Sequence, residues 1–145
     1  MDLLYPYFLT LHLVCAIIFL GYIFTDVVLL TPIRKYVGDE IANKVFSVIS
    51  KRGVRIMPLC LALLVLTGGA MISRYIGSMQ GYLQTSLQIF LVIKMCVALV
   101  IVLMVIISLS CKFLKFKNPL AQVIHPVALI LGFIIVVLAK IAFYV

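Results

Sequence analysis

The sequence predicts an all-α membrane protein: a bundle of four transmembrane helices, with a short amphipathic cytoplasmic helix between the first two. Three observations carry this. Apolar residues make up 66% of the 145 positions, and the mean hydropathy of +1.35 is more than a soluble domain of this length can hide. The apolar residues gather in four runs, each long enough to cross a hydrocarbon core of ~30 Å, which takes ~20 helical residues. Lys and Arg are shared unevenly between the connecting loops. Lipid offers backbone N–H and C=O groups no partners, and four spans cannot close a barrel, so the spans must be helices. They are expected at 5–30, 56–76, 87–109 and 119–143, within a single domain covering 1–145 and no soluble module.

The loops orient the bundle. Arg34, Lys35, Lys44, Lys51, Arg52 and Arg55 fall in the first loop, and Lys112, Lys115 and Lys117 in the third. Arg74 in the second loop and Lys140 near the end of the last span are the cations of the other side. This asymmetry makes loops one and three cytoplasmic and puts both termini outside. The net charge of +8 is answered by anionic headgroups of membrane lipid, and calls for no nucleic-acid partner. The first run has no basic leader and no small-residue cleavage site, so it reads as a retained span.

Span one, Tyr5–Leu30, opens with Pro6 in its first turn, where proline fits. His12, Phe19 and Asp26 recur every seventh residue and drift only ~20° per step, so they share one helix face. Ionisable groups on one face of a span argue that the face looks into the bundle. Pro32 helps to end the helix. In the first loop, DEIANKVFSVIS reads as the amphipathic helix, with Asp39 as its cap and Ile41, Val45, Val48 and Ile49 as its apolar face. The basic SKRGVR segment is a positive-inside anchor, or a carboxylate-binding cluster that includes Arg52.

Span two holds Thr67, Gly68 and Gly69, a small-residue surface suited to close helix packing or to a flat ligand. The second loop is polar and nearly uncharged, and its Tyr75 and Tyr82 suit the interfacial belt. Span three contains Lys94, about 10 Å below the outer boundary, either snorkelling towards headgroups or serving a functional role. Span four carries His125 and Pro126 early, then Gly132, with Lys140 near its outer end.

Counting residues from the boundaries sorts the polar groups by depth. His12 and Lys94 each lie about 10 Å below the outer boundary, with Thr67–Met71, Cys15, Met95 and Cys96 in the same half. His125 lies about 9 Å above the cytoplasmic boundary, level with Asp26 rather than His12. Two histidines sharing one haem iron must face each other across it, so His12 is favoured as the iron ligand. His125 is the weaker choice, and Met71 or Met95 are further candidate ligands. Haem carboxylates would take Arg74, Lys94 or Lys140 as counter-charges. Either histidine also has a purely structural reading, as a hydrogen-bonding group between helices.

At this point the chain resembles the HemJ-type protoporphyrinogen oxidases and the related CopD-like copper-resistance membrane domain. The resemblance lies in His12 followed by Phe19 and Gly21, and in FSVISKRGVRIMP with Arg52, Arg55, Met57 and Pro58. It continues in Lys94 within LVIKM and in Pro126 with Lys140 in the last span. It runs in the same order along nearly the whole chain. It departs at DVVLLTPIRK, which lacks the oxidases' Leu-Pro-Arg-rich end, and at QVIHP, which replaces their Asn-Glu pair.

What the resemblance implies is a membrane protein binding haem b or porphyrin, with His12 on the iron and Lys94 and Arg52 as essential cations. Thr67, Gly68, Gly69, Arg74 and His125 would stand around the cofactor. Partners would be a quinone or a tetrapyrrole, in a bacterial cytoplasmic (inner) membrane; separately, the small-residue faces of spans two and four allow a homodimer without requiring one. Two other functions compete. One is copper handling through His12, Cys15, Met71, Met95 and Cys96, a soft donor set lacking any Met-x-x-Met cluster or His-rich terminus. The other is a non-catalytic membrane subunit whose polar residues only fix helix packing.

Overall fold

The computed structural model describes residues 3–77, 81, 83–114 and 123–144. Tyr82, Lys115, Lys117 and the expected start of span four at Pro119 lie outside the described residues. The described chain is helical apart from short turns, in the order α1 (Tyr5–Phe24, continued by a π-helical stretch, Thr25–Leu30), α2 (Ile33–Val37), α3 (Asp39–Ile72), α4 (Ser86–Phe113) and α5 (Ile124–Ile141). Among the described residues, α1 with its π stretch, α3, α4 and α5 are long and apolar enough to cross a membrane.

Their surface is what lipid requires. The buried core is a thin axial set that includes Cys15, Phe19, Ile23, Cys60, Leu61, Ile101 and Leu129. Large apolar side chains point outward instead, with Ile17 at 71% exposure, Leu66 at 68% and Ile130 at 60%. In water such a surface would drive association, whereas in a bilayer it is the solvated face.

The bundle is antiparallel throughout. α1 packs along α3, and α4 along α5, with smaller α1–α5 and α3–α4 contacts closing the square. Small residues set the approach. A Cβ at Gly132 of α5 would stand 2.5 Å from Leu20 Cδ1 of α1. At Gly53 of α3 it would overlap the Tyr22 hydroxyl.

The first connection differs from the sequence expectation. The amphipathic segment is helical but not separate: α3 runs unbroken for 34 residues, about 51 Å. Pro58 does not interrupt it. That exceeds a ~30 Å core, so the amphipathic part is an extension of span two beyond the basic end. Asp39 is not the cap. Gly38 is, with a φ of 78° that turns the chain sharply between α2 and α3 and that other residues adopt only with strain. Span two also ends earlier than expected, at Ile72 rather than Ile76.

The π stretch has a local cause. Pro32 has no N–H to offer the preceding turn, and its ring crowds the carbonyl four residues back. The helix widens before it, and the Thr31 hydroxyl donates to the Asp26 carbonyl at 3.3 Å. At the opposite end, Gln88 knits the second loop to α4. Its side-chain oxygen accepts from the backbone N–H of Gln84 at 2.8 Å and of Thr85 at 3.3 Å, while its amide donates to the Tyr75 carbonyl at 2.9 Å. Thr85 completes a reciprocal capping box.

Candidate functional site

The ionisable groups of the bundle interior form two centres at different depths. The first joins α1, α3 and α4. His12 Nδ1 lies 2.8 Å from Thr67 Oγ1, and Thr67 is buried. The Thr67 hydroxyl lies 2.6 Å from the Leu63 carbonyl of its own helix. A carbonyl only accepts, so the single hydroxyl proton goes to Leu63. The hydroxyl oxygen must then accept from His12 Nδ1–H. This fixes the neutral ring as the Nδ1–H tautomer and leaves Nε2 with a free lone pair. The Leu64 carbonyl of α3 also lies beside the ring.

Gly68 lets the ring come close to α3, since a Cβ there would stand 3.2 Å from His12 Cε1. Lys94 of α4 lies near the His12 ring. Among the described residues no carboxylate pairs with Lys94.

The other residues expected around this centre divide. Arg74 lies just past the end of α3 at the same end of the bundle, with its guanidinium 4.9 Å from the centre of the Tyr5 ring. Tyr5 and Tyr75 hydroxyls lie 3.5 Å apart, and Tyr75 meets Phe143 edge-on. Met71 is half-buried one turn beyond Thr67. Gly69 is exposed, and a Cβ there would meet nothing within 4 Å. Met95 and Cys96 are exposed on the outer side of α4. Cys15 is buried against Cys60 rather than turned towards them. Among the described residues no three His, Cys, Asp or Glu side chains come together as a metal would need. Arg52 is exposed on the unbroken α3, about 22 Å along the axis from Thr67, so the structure does not bring it together with Lys94. Lys140 is exposed and stacks on Tyr144, 5.0 Å from the ring centre.

The second centre lies at the basic end. His125 Nδ1 of α5 is paired with Asp26 Oδ2, on the π-helical stretch of α1. π-helical turns recur at functional sites because they re-aim side chains. With a carboxylate on Nδ1–H, this histidine also presents Nε2. Tyr22 meets its ring edge-on at 6.4 Å. Asp26 lies about 21 Å along α1 from His12. One iron therefore cannot take both histidines.

Tyr22 and His125 line a cavity of about 180 Å³ bounded by all four long helices. Its polar lining also includes Ser50, Ser108 and Lys112, and Lys112 Nζ donates to Ser50 Oγ at 3.4 Å. Sequence reasoning singled out Asp26 and His125 and set them at one depth, but missed Tyr22 and the cavity. The signal for Tyr22 was present, since it lies one turn before Asp26 on the same face of span one. Ser108 and Lys112, likewise one turn apart on α4, had no such flag. Comparisons of the chain with protein-family models, with curated proteins and with solved structures find no match.

Proposed function

We propose that the chain is an integral-membrane redox protein that binds haem b or a related porphyrin through His12. The observation that carries this reading is the Leu63–Thr67–His12 relay. It holds the imidazole by Nδ1 and reserves Nε2, the arrangement that iron-ligating histidines use. The residues present fit the group in one further respect. Lys94 offers an ammonium near the ring that no carboxylate of the described residues satisfies, suited to a propionate. An ionisable side chain within a span is expensive unless it serves such a partner. Bound haem would supply one-electron chemistry. The chain's own part is to set the ring's tautomer and orientation, to hold a carboxylate at Lys94, and to keep water away with the lipid-facing helices.

Purified protein reconstituted with haem tests this. The expected result is a Soret band with about one haem per chain, lost in His12→Ala and retained in His125→Ala. A colourless preparation that takes up no haem, or a spectrum unchanged by His12→Ala, overturns the reading.

A further inference from the structure

We infer that the cavity at the basic end is a binding site for the head group of a single-ring quinone, with His125 hydrogen-bonding to a ring oxygen. It stands on the second centre alone and is independent of the haem reading at His12. Size comes first. An apolar cavity of about 150 Å³ takes a benzene ring, so about 180 Å³ takes one substituted six-membered ring.

The lining matches that ligand. Phe19, Ile23, Met57 and Val105 give apolar walls, and Tyr22 and His125, with Ser50, Ser108 and Lys112, give the polar groups. An apolar pocket with a few placed polar groups is how small ligands are held and oriented. The cavity lies inside membrane-spanning helices, where a lipid-soluble ring is the available aromatic ligand.

The Asp26–His125 pair suits both states of such a ring. A neutral His125, with Nδ1–H on Asp26, accepts at Nε2 from a quinol O–H. A protonated His125 donates from Nε2–H to a quinone carbonyl, and Asp26 balances its charge. The site can therefore hydrogen-bond to either state of the ring, and the proposal is one of binding alone. Gly53 is part of the design, because any side chain there would push Tyr22 from its place.

The test is equilibrium binding to full-length protein in nanodiscs made from quinone-free synthetic lipid. Decylubiquinone and its quinol are the probes. Saturable binding of one per chain is expected for both. Val105→Phe, which fills the cavity, and His125→Leu should each weaken it at least tenfold, and His12→Ala should leave it unchanged. Menadione, with two fused rings, should bind at least tenfold more weakly. If Val105→Phe does not fold, His125→Gln, which keeps the volume, decides with the same tenfold criterion. Only non-saturable partitioning, equal binding by the cavity variants, or equal binding of menadione would overturn the assignment. So would binding that disappears with His12→Ala.

Discussion

His125 Nδ1 is bonded to Asp26 Oδ2, and this one contact ties the start of α5 to the π-helical end of α1. The carboxylate side chain is 22% exposed and the imidazole 42%. Among the described residues it is the one ion pair joining two of the spanning helices. Removing one partner of a half-buried pair strands the other. Asp26→Ala should therefore cost about 1–3 kcal/mol, below the range for fully buried pairs. Asp26→Asn keeps an acceptor for Nδ1–H and should lose less than half of that. Unfolding of the purified variants in mixed detergent micelles measures the difference.

Thr67 acts on His12 in a way that spectroscopy can see without any ligand. Wild-type protein should show the Nδ1–H tautomer by ¹⁵N NMR of the ring. Thr67→Ser should preserve it. Thr67→Val has nearly the same shape and offers no acceptor, so both tautomers should appear. The stability loss should be only about 0.6–1.7 kcal/mol, the range for hydrogen bonds between membrane helices. A single Nδ1–H tautomer in Thr67→Val would show that something other than Thr67 holds the proton.

Parts of this arrangement were legible in the sequence for definite reasons. His12, Asp26, Lys94 and His125 stand out because hydrocarbon makes a polar group costly. Their depth follows from the fixed rise of a helix, which is enough to set His125 beside Asp26. The union of the amphipathic segment with span two was not legible. Nothing breaks the helix between Asp39 and Ile72, and a change from amphipathic to uniformly apolar faces resembles a boundary even when the backbone continues. The π stretch was hidden because Pro32 marks a helix end without saying how the last turns adjust. The cavity depends on which side chains four separate helices turn towards one point, and no single-segment pattern carries that.

Neighbouring glycines of span two should respond oppositely to alanine. At Gly69 a new Cβ meets nothing within 4 Å, and Gly→Ala in a helix is worth about 0.5–1 kcal/mol. Gly69→Ala should be neutral or stabilising. At Gly68 the same Cβ would press on His12 Cε1 at 3.2 Å. Gly68→Ala should displace the ring by a few tenths of an ångström and perturb its Nδ1–H resonance. Equal behaviour of the two variants in unfolding and in the ring spectrum would contradict the packing described.

Gln88 makes a prediction about the opposite end of the bundle. It is 4% exposed, and its side chain satisfies backbone groups of Tyr75, Gln84 and Thr85 at once. Gln88→Leu keeps the volume and removes every one of those bonds. Buried groups left unpaired cost about 1–3 kcal/mol each, although water at this end will recover part of it. The loss should be local, because the apolar contacts between α4 and α5 do not involve the Gln88 amide. Hydrogen exchange should accelerate in the turn from Ser73 to Gly77 and in the first turn of α4, with protection unchanged around Ile101. Uniform acceleration along α4 would mean that the loop and the helix unfold as one unit, and that Gln88 supports the bundle rather than the loop alone.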